Sequence, residues 1–423
     1  MQEDFLHYIW KFKKFETHNL KTEEGLPVTV KQVGQHNFNS GPDFFNAKLE
    51  IGEQLWAGNV EIHVKSSDWY LHNHEQDLAY DGVIMHVVWE HDTEIFRKDN
   101  TAIPTLQIRD YIDFTLLNNY KKLFAKSNTW INCENDFAKT DEFVLAHWIE
   151  RLYFERLQRK TDYIETLLQE SRNDWEAVLF KMLAKNFGLK VNGDAFFSLA
   201  QSIDFSVVRK SQSDLQRLEA LLFGQSNLLS ETFEDAYFIS LSKEYNFLKQ
   251  KFGLENKHVL PLQFFRLRPP NFPTIRLSQL ANLYHQHQNI FSKIIETDTL
   301  EDFYKLFNVE TSEFWKTHYT FKKESKPTSK GITKSFTDLL LINTILPLKF
   351  CYAKQMGHDI DSTILQLASE IHSEKNSVID AFNRLKKISK SALQSQSLLQ
   401  LKTEYCDKNK CLQCAVGNAL LTK

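Results

Sequence analysis

Apolar positions along the chain change period part-way through. Over the first 110 residues they come in short alternating runs, and from about Asp141 onward they recur at helical spacing. Residues 4 to 15 predict an amphipathic helix, with Phe5, Leu6, Ile9, Trp10 and Phe12 apolar. Five strand-like runs follow, at 27–33, 44–51, 54–64, 83–90 and 104–108, separated by the turn signals "QHNFNSGP", "GE" and "DG". Between the third and fourth runs, Ser66 or Ser67 is placed to cap a short helix carrying Trp69, Leu71 and Leu78. The predicted order is helix, three strands, helix, strand, which makes an α+β domain over residues 1–135.

The remainder, 136–423, predicts a large all-α region. Asp141 caps a long helix with Val144, Trp148, Leu152 and Tyr153 on one face, while Glu150, Arg151, Glu155 and Arg159 lie elsewhere. Further helices are expected at 174–187, 213–224, 231–251, 276–286, 334–356, 359–373 and 376–389. No repeat period is present, so a regular solenoid is not indicated. The segment "KESKPTSKG", 323–331, has the composition of a linker or mobile loop. Three prolines forbid helix across the middle of "FFRLRPPNFPTIRL", 264–277. This strip has two readings: Arg266, Arg268 and Arg276 meet substrate phosphates beside aromatic rings, or it is a connector with Phe264, Phe265 and Phe272 plugged into the core.

Charge narrows the function classes. With 51 basic and 54 acidic residues the formal net charge is −3, so any nucleic-acid site must be a local patch. No run of 18 apolar residues occurs and the first twenty residues lack signal-peptide character, which predicts a cytoplasmic protein without a membrane segment. Five cysteines, three within the last eighteen residues, do not form the pattern of a secreted disulfide framework.

Chemistry concentrates between residues 41 and 92. In "NVEIHVK", 59–65, strand alternation sends Val60, Ile62 and Val64 one way and Glu61, His63 and Lys65 the other. Counting back from the turn at Gly52 and Glu53 sets residues 43–45 opposite 60–62, so Asp43 and Glu61 are expected to share a cation, Mg²⁺ or Mn²⁺. The Pro42-Asp43 and Glu61-Ile62-His63 pattern, with the order of elements, resembles the PD-(D/E)xK, restriction-endonuclease-like nuclease fold. That resemblance implies Asp43 and Glu61 as metal ligands and a phosphodiesterase acting on nucleic acid. It departs at the lysine position, which holds His63, with Lys65 two residues later; either is a candidate charge stabiliser. His72, His74, Asp77 and His86 are auxiliary candidates and open a competing reading as a His and carboxylate transition-metal site, with a His-x-His similar to that of cupin-like barrels. The alternative from another class is a non-catalytic binding or scaffold protein on a degenerate nuclease-like fold.

Near the other end, Cys406, Cys411 and Cys414 follow a C-x4-C-x2-C spacing that suits Zn²⁺ or an iron–sulfur cluster. Cys133 is the candidate fourth ligand, because Cys351 sits in an apolar helical run. The arrangement is similar to the clamp of iron–sulfur PD-(D/E)xK nucleases, except that there the lone cysteine precedes the nuclease motifs. Finally, "EDFLHYIW", "SGPDFFNA", "GNVEIHVKSSDW", "RPPNFPTIRLSQLA" and "CLQC" together resemble the uncharacterised bacterial family called domain of unknown function 2851, over nearly the whole chain.

Overall fold

In a computed structural model describing residues 2–125 and 129–422, the chain forms two compact units. One comprises residues 1–148 together with 402–423, the other residues 149–401. The C-terminal cysteine segment therefore belongs with the sheet, not with the helices that precede it in the chain.

The first unit is sheet-centred. Helix α1 (Glu3–Lys11) leads into β1 (Leu20–Lys21), β2 (Pro27–Gln32), β3 (Gln35–His36), β4 (Phe44–Ile51) and β5 (Gln54–Lys65). A short helix α2 (Asp68–Leu71) and two 3₁₀ turns carry the chain to β6 (Val83–Glu90), then β7 (Thr105–Gln107) and helix α3 (Phe114–Leu123). The strand order is β1-β2-β4-β5-β6-β7, with β3 also pairing β4. Pairs as far as β4–β5 are antiparallel, whereas β5–β6 and β6–β7 are parallel and need the crossovers that α2 and the following turns begin to provide.

Alternation explains where the core lies. Val60 and Ile62 on β5 join Phe5, Leu6, Ile9 and Trp10 of α1 and Leu116 and Tyr120 of α3 in one apolar cluster. A smaller cluster on Trp69, Tyr80, Val83, Ile95 and Ile103 forms beside the crossover. Strand β6 is buried along most of its length, as expected of a parallel strand covered on both faces, and this puts His86 entirely out of solvent. At Gly58 a side chain would run into Ile84 and the Gly82 carbonyl, so only glycine lets β5 approach the β6 end this closely.

The second unit is helical except for one small hairpin, His318–Thr320 with Lys323–Glu324. Most expected helices form. Those at Leu189–Gln201, Phe205–Ser211, Ile290–Glu296, Leu300–Leu306 and Ala392–Gln400 were not anticipated, because their apolar stripes are short or interrupted by polar residues. The helix 334–356 is interrupted by a π turn at Leu341–Ile345. By length and composition Lys334–Met356 passes for a membrane span, but most of it is buried inside the unit.

The segment 323–331 is irregular and mostly exposed after Lys323–Glu324, as its composition predicts. It is pinned at two points: Ser325 N–H donates to Thr317, and the buried Lys330 donates to the carbonyls of Trp315 and Lys316. The strip 264–277 is not extended: it turns at Phe265–Arg266, makes a 3₁₀ turn at Pro269–Asn271, and Pro273 then starts a helix at its first position, where a missing N–H costs nothing.

Close packing in this unit makes a stability prediction. A Cβ at Gly224, in the helix Leu215–Gln225, would fall inside the buried Tyr245 ring. Gly224→Ala is expected to destabilise by about 1–3 kcal/mol through overpacking, read as a lower midpoint in urea, and unchanged unfolding would refute the contact.

Candidate functional site

The start of β4 and the middle of β5 are locked to each other by side chains bonding backbone. Phe44 pairs with Val60, one residue from the register counted back from the Gly52 turn, because a bulge lies between Phe44 and Ala47. Beside that pair the Asp43 N–H donates to Glu61 Oε2 at 3.0 Å, and the Ile62 N–H donates to Asp43 Oδ2 at 3.0 Å. Each carboxylate thus has an oxygen occupied by the opposite strand, which fixes both head groups.

Imidazoles surround Glu61. His74 Nε2 lies 3.3 Å and His63 Nε2 3.5 Å from Glu61 Oε1, and His72 Nδ1 lies 3.1 Å from His63 Nε2. His63, His72 and His74 each bring a ring nitrogen within 4.8 Å of the others. His63 Nδ1 meets His86 Nε2 at 2.9 Å, leaving the buried Nδ1 of His86 without a hydrogen-bond partner among the described residues. Tyr80 stacks on His74 at 3.7 Å, and Trp69 packs edge-on against it.

Burial and neighbouring like charges set the electrostatics of the cluster. Burial and the charge of Asp43 push the Glu61 carboxyl up to about 9. Burial, with His74, His72 and His7 nearby, pulls His63 down to about 3, so its ring is neutral at ordinary pH. Burial likewise holds His86 well below the usual range.

Three participants were not foreseen. His7 Nε2 lies 3.2 Å from Asp43 Oδ2, within ion-pair distance though not aligned as a hydrogen bond. Asp43 outweighs the effect of burial and raises His7. Glu3, one turn earlier on α1, is raised by burial and by Asp43. Tyr80 is pushed up to about 12 by burial, then by Glu61 and Asp43. The available signal was the Glu3/His7 spacing of four on a helix whose other face is apolar.

Other candidates lie apart from this cluster. Lys65 is half exposed, with its ammonium 3.9 Å from Asp92, itself held by Ser66 and Ser67. Asp77 caps a turn by accepting from the Ala79 N–H. Of the arginine strip, Arg266 and Arg268 are exposed, whereas Arg276 is buried, 3.7 Å over the Phe336 ring and bonded to Gln279 and Asn271. A guanidinium so engaged is core structure, not a phosphate contact.

Cys133, Cys406, Cys411 and Cys414 gather in the same unit, all as free thiols. Burial pushes Cys133 up to about 12, and the charges of Cys414 and Cys411 add to it. Cys406 is raised by burial and then by the other three. Cys414 goes up to about 11 by burial, opposed by the N–H groups of Gly417 and Val416, and Asn132 donates to Cys411 Sγ at 3.5 Å. A side chain at Gly417 would strike the Cys411 carbonyl, so glycine allows this turn to close. Cys351 is buried in the other unit.

Residues 3–377 match the family described as "Protein of unknown function (DUF2851)". No curated protein and no solved structure matches the chain.

A buried carboxyl held above its ordinary range destabilises the folded state at every pH above its unfolded value, increasingly up to about 9. In metal-free protein at pH 8, Glu61→Gln is therefore expected to stabilise by about 1 kcal/mol, as removal of a functional group does. A melting temperature for Glu61→Gln below that of wild type, both measured in EDTA, would count against Glu61 being a strained group.

Proposed function

The chain belongs to the DUF2851 family, and because that membership carries no chemistry we propose from the site alone that it is a metal-dependent phosphodiesterase acting on nucleic acid. The observation that supports this most is the convergence of Asp43, Glu61 and three imidazoles at the β4–β5 junction.

The donor set favours one class of ion. Mg²⁺ prefers oxygen ligands and retains water, whereas imidazole suits Zn²⁺ or Fe²⁺, and Mn²⁺, though it favours oxygen, accepts imidazole more readily than Mg²⁺ does. Glu61, His63, His72 and His74 would hold the ion, with Asp43 as the adjoining carboxylate. When bound, it supplies Lewis-acid polarisation of a phosphoryl oxygen and a more acidic water.

The chain's own groups set the rest. The reciprocal backbone bonds hold both carboxylates before substrate arrives. His7 orients Asp43, and Tyr80 and Trp69 fix the His74 ring. His72 is exposed, so the open side of the site lies there. No side chain at the centre replaces a nuclease lysine: His63 is neutral and Lys65 turns to Asp92.

Cleavage of labelled DNA and RNA, single- and double-stranded, is expected with Mn²⁺ in preference to Mg²⁺. Asp43→Asn should lower the rate about 100-fold or more. Equal cleavage by wild type and variant would end the assignment, and metal binding without cleavage of any substrate would support a binding protein instead.

The four thiols are proposed as ligands of zinc or an iron–sulfur cluster, a centre contributing folding energy to the sheet unit. Protein purified without oxygen should carry zinc or iron, and Cys133→Ser should lose it with a fall in melting temperature. Finding neither element in the wild type would refute this.

A further inference from the structure

The helical unit holds a basic cleft that the site above does not use. It has a volume of about 600 Å³ and lies among the helices Glu142–Glu170, Trp175–Phe187 and Leu189–Gln201 and the π turn at Leu341–Ile345. Its walls carry Arg159, Lys160, Lys185 and Lys190 against one acid, Asp194. In a chain of net charge −3 this is a local reversal of sign.

Lys160 is partly buried in the wall of the cleft. Its ammonium donates to the Ile342 carbonyl at 3.0 Å and to Asn343 Oδ1 at 3.3 Å, both neutral acceptors presented by the π turn. Among the described residues no carboxylate stands within ion-pair distance of it, and Glu374 acts on it only from farther away. Burial, with Arg156 beside it, pulls this ammonium down to about 7. A partly buried cation with only neutral partners is costly, and an anion entering the cleft would supply the missing counter-charge. Lys185 contributes little to Asp194, at 3.7 Å with that acid largely exposed. The Lys185 ammonium lies 5.6 Å from the ring of Tyr163, whose surface is 41% exposed.

We propose that this cleft binds the phosphate groups of a nucleic-acid strand, with Lys160 as the contact in the wall, Lys185 and Lys190 at the rim, and Tyr163 as a surface on which a base stacks. The choice of nucleic acid rests on the functional reading above; the anion site itself does not. A cleft of this volume accommodates a nucleotide-sized group.

The test is anisotropy of a short labelled single-stranded oligonucleotide with full-length protein in EDTA, so that the cation site is silent. The paired substitution Lys185→Glu and Lys190→Glu should weaken binding about tenfold or more and lessen its dependence on salt. Lys160→Met should weaken it as well; should that variant misfold, the exposed pair alone decides. A control pair on another helix, Lys243→Glu with Lys249→Glu, should bind as wild type. Unchanged affinity in the cleft pair, or an equal loss in the control pair, would overturn the proposal. So would displacement of a fluorescent ATP analogue from the cleft by ATP but not by the oligonucleotide, which would assign it to free nucleotides. Failure of cleavage alongside a cleft-dependent affinity would remove the catalytic reading and leave this one standing.

Discussion

Burying an acid on a strand closed in on both sides is the constraint around which the sheet unit is arranged. Glu61 is 4% exposed, on a strand flanked by β4 and β6. A carboxylate in such a place needs donors or a cation. The Asp43 N–H supplies one donor, and Asp43 returns an acceptor to the Ile62 N–H. This exchange brings a second carboxylate alongside the first, so the strand pairing that satisfies part of Glu61 also crowds negative charge around it. Much of the surrounding chemistry answers that crowding: His74 and His63 sit against Glu61, and His7 against Asp43.

The neighbours are held in turn by the fold. His86 lies opposite Glu61 on the parallel strand β6 and reaches His63 from behind, while α2 and the turn after it bring His72 and His74 in from the crossover. A parallel β5–β6 pair requires such a crossover, and here the connection itself delivers two histidines to the mouth of the site. Topology and chemistry are therefore not separable in this unit: an antiparallel hairpin at the same place would leave Glu61 without these imidazoles.

Much of this was legible in the residues. The opposition of 43–45 with 60–62 followed from turn position and period-two alternation, because a turn at Gly52 permits few registers. Strands β2, β4, β5 and β6 fell within a residue of expectation for the same reason. Less legible was anything depending on contacts between distant segments. Glu3 and His7 drew no reading of their own, since nothing in α1 says which strand end it covers. Lys65 shares a strand face with Glu61, yet Asp92, anchored by two serines, draws its ammonium away. Arg276 could be read as a phosphate contact or as part of a structural connector, and its position inside a helix that begins at Pro273 puts it in the core.

The cysteines show the same limit from the other direction. Spacing alone grouped Cys406, Cys411 and Cys414, and elimination of the buried Cys351 left Cys133. What spacing could not reveal is that the chain leaves the sheet unit after Trp148, builds residues 149–401, and returns at Lys402. The helical unit is thus an insertion in the sheet unit's chain. A sheet unit made of two distant stretches of chain pays a large loop-closure entropy in folding, and a cross-link between those stretches offsets it. Cys133 lies on the stretch before the insertion and the other three thiols on the stretch after it. That is where a thiolate-bound metal would do most to hold Asp43, Glu61 and their histidines in one body.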